Sequence, residues 1–144
     1  VYNIKKAIRI ESGIPEHWFI LGDVYLEMNN VNKAIRAYNT TVELDPENYE
    51  AWLAYAGVYF NNKKITSAIS ILEKAYHYNY NISALNYRLA AYYIYNDQPY
   101  LSYRYFEKGL QLNYKEHNEV LCDFPRAGEN DSINRLIIKY QNLK

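Results

Sequence analysis

The stretch Trp18-Phe19-Ile20-Leu21-Gly22-Asp23-Val24-Tyr25 returns thirty-four residues later as Trp52-Leu53-Ala54-Tyr55-Ala56-Gly57-Val58-Tyr59. A third copy, Asn86-Tyr87-Arg88-Leu89-Ala90-Ala91-Tyr92-Tyr93, stands at the same spacing, with Asn86 where an apolar residue is expected. The period persists beyond these blocks. Small residues recur at Ala34, Ala68 and Ser102 and again at Thr41, Ala75 and Gly109, and bulky ones at Tyr38, Leu72 and Phe106. A fixed period of this length is the mark of a repeat architecture and has to be recognised before any local reading.

Within one period, apolar residues fall at three- and four-residue steps twice over: Trp18, Leu21 and Tyr25, then Val31, Ala34, Ile35, Tyr38 and Val42. That spacing predicts two amphipathic helices per unit. Between them Asn29-Asn30, Asn61-Asn62 and Asn96-Asp97 interrupt the pattern, residue types that tolerate the left-handed backbone of a helix end. Small residues at Gly22, Ala56 and Ala90 allow paired helices to approach, while bulky aromatics fill the remaining space. Asp45, Asn79 and Asn113 mark the turn into the next unit. A single hairpin cannot bury its apolar side, so the hairpins must stack.

Composition agrees. The 144 residues are 49% apolar and 22% charged, outside the ranges of disorder or of a membrane span, and no apolar run approaches the roughly 18 residues of a spanning helix. Five glycines and four prolines are too few for the many tight turns of a β-sandwich or barrel. Lys plus Arg balance Asp plus Glu, so the basic excess of a nucleic-acid binder is missing. The single cysteine, Cys122, excludes an intrachain disulfide and favours a reducing compartment, for which a cytoplasmic location is the expectation.

These residues resemble the tetratricopeptide repeat family, whose pattern is W-x2-L-G-x2-Y, then A-x3-F, then P. The first unit shows Trp18, Leu21, Gly22, Tyr25, Ala34, Tyr38 and Pro46; the second keeps Trp52, Tyr59, Ala68 and Ala75; the third retains Leu89, Ala90, Tyr93 and Phe106. The resemblance implies an all-α, right-handed solenoid of antiparallel hairpins, with units at 15–48, 49–82 and 83–116. Residues 1–14 are expected to supply the second helix of a preceding, truncated unit, as in an excised fragment. Residues 117–144 should form a short helix around Val120, Leu121 and Phe124, a loop over Arg126–Asn130, and a capping helix started by Asp131 or Ser132 with Ile133, Leu136, Ile137 and Tyr140 on one face. This ending, together with abundant Asn, Ile, Lys and Tyr, suggests a bacterial protein.

Chemistry is hard to find. No phosphate loop, dinucleotide fingerprint or zinc-protease motif occurs. His17, His77 and His117 differ in repeat phase and should not share a metal, and Cys122 is expected to be a small buried hydrophobe near the cap. Glu43 and Asp45 read as solvated turn residues. The Asn-x-Ser/Thr triplets at Asn39, Asn81 and Asn130 are what an Asn-rich chain produces by chance, and the tyrosines lie at core spacing. No catalytic, cofactor or metal residue is assigned.

The resemblance implies instead a concave groove lined by each unit's first helix, receiving a peptide or partner protein of unspecified identity. By phase, the groove residues are Glu16, Phe19, Asp23 and Glu27; Glu50, Leu53, Gly57, Phe60 and Asn61; and Tyr87, Arg88, Ala91, Ile94 and Tyr95. One subgroup of the family grips a terminal carboxylate with Lys, Asn and Arg. Here Phe19 and Asp23 replace the Lys and Asn and only Arg88 matches, so that clamp is not expected. Acidic residues at one end and aromatics at the other suit a peptide with an apolar anchor and basic character. Two readings compete with a free-standing scaffold: an accessory segment of a larger enzyme or signalling protein, and a helical-repeat RNA binder, which the neutral charge disfavours.

Overall fold

The computed structural model describes residues 1–143. Among the described residues ten α-helices follow one another: α1 (Tyr2–Ile10), α2 (Pro15–Glu27), α3 (Val31–Leu44), α4 (Tyr49–Asn61), α5 (Ile65–Asn79), α6 (Ser83–Tyr95), α7 (Pro99–Leu112), α8 (His117–Asp123), α9 (Pro125–Gly128) and α10 (Asp131–Gln141), with a 3₁₀ turn at Tyr114–Glu116 before α8. There is no strand among the described residues. The helices pair as hairpins, α2 with α3, α4 with α5 and α6 with α7, and each second helix packs on the first helix of the next pair.

Local chemistry explains the repeat boundaries. Asn30 and Asn48 cap α3 and α4 by accepting backbone N–H bonds, and Pro15 and Pro99 sit at helix starts, where a missing N–H costs nothing. Inside each hairpin the chain reverses through one left-handed residue: Asn29 (φ 54°), Lys63 (φ 61°) and Asp97 (φ 55°), again at the period of the sequence. The following N–H then reaches back to the carbonyl of the recurring tyrosine, Asn30 to Tyr25, Lys64 to Tyr59 and Gln98 to Tyr93, at 2.7–2.9 Å. In the second unit the left-handed residue is Lys63, not the Asn61-Asn62 pair that composition suggested.

The core is a size-matched seam. A Cβ on Gly22 would lie 2.5 Å from the Tyr38 ring, and one on Gly109 2.8 Å from the Tyr87 ring. In the second unit the same places hold intermediate sizes, Ala56 with Leu72 and Ala75 with Leu53. The position of Asn86 has an equally specific answer. Trp18 Nε1 donates to the Ser12 carbonyl (2.8 Å) and Trp52 Nε1 to the Pro46 carbonyl (2.9 Å), each six residues upstream. Asn86 Nδ2 donates to the Tyr80 carbonyl, also six residues upstream, at 3.0 Å, and to the Ile82 carbonyl. What the third unit keeps is the donor that ties the inter-repeat turn to the helix, and it forgoes the indole.

The C-terminal region departs from expectation. Residues 125–128 form the helical turn α9 where a loop was expected, α10 is capped by Asn130 in place of Asp131 or Ser132, and Cys122 is exposed, not buried. The period explains these departures. Counting on by thirty-four, α8 and α9 together take the place of a first helix and α10 that of a second. Phe124 falls at the position held by Gly22, Ala56 and Ala90. A phenyl ring cannot enter that close approach. Pro125 also biases the residue before it away from helical geometry, and Phe124 adopts φ −130°, ψ 73°. The helix breaks there, and α8 and α9 lean on α6 while α10 lies against α7.

Candidate binding groove

The first helices α2, α4 and α6 share one side of the stack. Leu26, Asn29, Val31, Leu53, Ala54, Gly57, Val58, Asn61, Asn62 and Arg88 line a concavity of about 530 Å³ that runs from α2 across α4 to α6. Of the residues expected in the groove, Leu53, Gly57, Asn61 and Arg88 meet here. Glu16, Asp23, Glu27 and Glu50 are exposed on α2 and α4, and Phe19 is half-buried, its ring 5.7 Å from that of Tyr38. Asp23 is partly committed, accepting a 2.5 Å hydrogen bond from Tyr38 Oη. Burial first, and then this carboxylate, push the Tyr38 phenol well above its usual range.

The third unit corrects the sequence reading most. Tyr87 has no exposed surface: its ring fills the space beside Gly109, lies 5.1 Å edge-on to Phe106, and its Oη donates to the Asn113 carbonyl at 2.9 Å. Ala91 and Ile94 are buried as well. None of the three presents a surface to a partner. Tyr87 turns inward because Gly109 leaves room for it, whereas in the second unit Ala75 fills that room and Leu53 stays at the groove.

Phe60, Arg88 and Tyr95 do come together, but around a residue of the same chain. Phe124 stands edge-on to Phe60 (5.5 Å between ring centroids), Tyr92 (5.7 Å) and Tyr95 (6.1 Å), with the Arg88 guanidinium 5.1 Å from its ring. Phe60 stacks on Tyr92 at 4.3 Å. Arg126 continues the contact, 5.6 Å over Tyr95 and paired with Asp97 at 2.6 Å. The aromatic end of the groove is thus filled by the broken helix that follows it. Phe124 and Tyr92 were missed as parts of this face, although the period carried past residue 116 marks Phe124 as a large residue in a small residue's place.

His17, His77 and His117 lie on α2, α5 and α8, and among the described residues no group of three or more His, Cys, Asp or Glu side chains could hold a metal ion. His117 Nδ1 donates to the Tyr114 carbonyl. Asn39 donates to Glu43 and Asn130 serves as a cap. No helix among the described residues is long and apolar enough to cross a membrane.

Comparison with known proteins places this geometry. The structure is similar to solved structures titled "Crystal structure of MamA" (20% identity, 96% of this chain and 83% of that one, TM-score 0.69) and "Crystal structure of YrrB: a TPR protein with an unusual peptide-binding site" (20%, 95% and 74%, TM-score 0.67). It is also similar to the N-terminal domain of stress-induced protein-1 from C. elegans (23%, 74% and 93%, TM-score 0.62). No curated protein matches the sequence. The tetratricopeptide repeat family model matches residues 19–81, the first two helical hairpins from α2 through α5. That match identifies tetratricopeptide repeats over α2 through α5, and the solved structures share the solenoid fold of the whole stack.

Proposed function

We propose that this chain is a non-catalytic scaffold, built of units 15–48, 49–82 and 83–116, that holds a segment of another protein in the concavity between α2, α4 and α6. The observation that carries the reading is that groove itself. Leu26, Leu53 and Val58 offer an apolar floor, Asn61 and Asn62 offer amides, and the open first-helix surface of α2 and α4 carries Glu16, Asp23, Glu27 and Glu50 without a single Lys or Arg. Such a surface favours a peptide with an aliphatic anchor and flanking cations. Because Phe124 occupies the aromatic end, the bound segment is expected to be short and centred on the first two units.

Two labelled peptides test this, both with a central leucine, one flanked by lysines and one by glutamates. Fluorescence anisotropy should show the lysine peptide binding the intact chain and the glutamate peptide not. Leu53→Arg and Asn61→Arg should weaken that binding at least tenfold while each variant remains helical and folded by circular dichroism. Indifference to both substitutions, or a preference for the glutamate peptide, would remove the groove from the proposal.

A further inference from the structure

The neutral total charge conceals a strong separation across the stack. Helices α2 and α4 contain carboxylates and no Lys or Arg. Helix α1 contains Lys5, Lys6 and Arg9 and no carboxylate, and α3 contains Lys33 and Arg36 with one carboxylate, Glu43, two turns beyond Arg36 and hydrogen-bonded to Asn39. The basic helices are second helices, on the back of the hairpins whose first helices are acidic.

Two of these cations meet at one aromatic ring. Lys5 Nζ and Lys33 Nζ each lie 5.6 Å from the centroid of the same ring, Tyr25, one reaching from α1 and the other from α3. Arg9 and Arg36 follow one helical turn along their helices. None of the four forms an ion pair: among the described residues the salt bridges are Arg126–Asp97 and Lys139–Glu107. Like charges held without an ion pair repel one another, and a carboxylate-bearing surface laid over them relieves that repulsion.

A surface with that chemistry exists on the molecule's other side. Both surfaces also carry exposed apolar side chains: Tyr2 (79% exposed) and Ile10 (78%) beside the cations, Ile20 (47%) and Leu26 (38%) beside the carboxylates. We infer that the partner of the basic α1–α3 face is the acidic α2–α4 face of a second copy of this chain. The contact joins two different surfaces, so it propagates from copy to copy, as a ring or as an open filament. It rests on the reading of the first-helix face as a binding surface and names one occupant of it.

Sedimentation velocity on the full chain tests the inference. At about 0.01 M salt, where charges act over about 30 Å, the weight-average mass should rise with concentration, and at about 1 M salt it should fall to that of a monomer. Lys33→Glu/Arg36→Glu and Glu27→Lys/Glu50→Lys, each folded by circular dichroism, should be monomeric alone and should reassemble when mixed in equal amounts. A wild-type chain that stays monomeric at low salt, assembly indifferent to salt, either variant assembling alone, or a mixture that remains monomeric would each overturn it. The outcome is separable from the groove proposal. Lysine-peptide binding without self-association defeats this inference alone, and salt-sensitive assembly without peptide binding defeats the peptide reading alone.

Discussion

Gly22→Ala puts the size-matched seam to a quantitative test, because two effects of opposite sign compete at that residue. Alanine within a helix is favoured over glycine by about 1 kcal/mol, and at an open site the substitution would stabilise the chain. Here the new methyl would meet three atoms of the Tyr38 ring at 2.5, 2.7 and 2.9 Å. Tyr38 cannot easily withdraw: it is fully buried, packs beside Phe19 and donates its hydroxyl to Asp23. Overpacking of a filled core costs about 1–3 kcal/mol, and displacing the tyrosine also loses a charge-assisted hydrogen bond of about 1.5–3 kcal/mol. The clash prevails, with a net destabilisation of about 1.5–5 kcal/mol. Urea unfolding followed by circular dichroism should show an earlier midpoint for Gly22→Ala. The double variant Gly22→Ala/Tyr38→Leu, which reproduces the Ala56–Leu72 pair of the second unit, should recover part of the loss through a favourable coupling term. A Gly22→Ala chain as stable as the wild type, or a double variant that is simply the sum of its parts, would refute the reasoning.

Three further outcomes follow from the same packing. Tyr87→Phe should cost about 1 kcal/mol by removing the bond to the Asn113 carbonyl, and Tyr87→Ala about 3–5 kcal/mol by opening a cavity beside Gly109; chemical denaturation measures both. Phe124→Ala should cost about 3–4 kcal/mol and loosen α8 and α9 ahead of the rest of the stack, visible as faster amide exchange confined to residues 117–128. At alkaline pH, Tyr55 titrates at about 12 and Tyr38, Tyr87 and Tyr93 higher still, all raised from 10.0 chiefly by burial. Phenols with folded-state pKa above the unfolded value contribute stability that is complete below pH 10 and lost as pH rises through the folded pKa. Tyrosinate absorbance from these four should therefore develop only well above pH 10, together with loss of helicity; their ionisation at pH 10 with the helices intact would contradict the burial.

The amino-acid sequence by itself determined the repeat, the two-helix unit and the order of large and small residues. The reason is that helical periodicity and the need for backbone approach are local constraints: Trp18, Leu21, Gly22 and Tyr25 announce a packed helix face whatever lies across from them. It also carries the continuation of the period to Phe124. Which way an aromatic side chain turns was decided only by the tertiary structure. Tyr87 shares a register with the groove-facing Leu53 yet points into the core, because the space for it is created by Gly109 on another helix. Phe60, Arg88 and Tyr95 look open along the chain but are occupied, because a phenylalanine twenty-nine residues beyond Tyr95 cannot enter its own hairpin and settles on theirs. The separation of charge likewise vanishes in a net total of zero and emerges only when hairpins set alternate helices on opposite sides. Side-chain direction and surface charge depend on what is placed opposite, and that is information a single strand of letters does not carry locally.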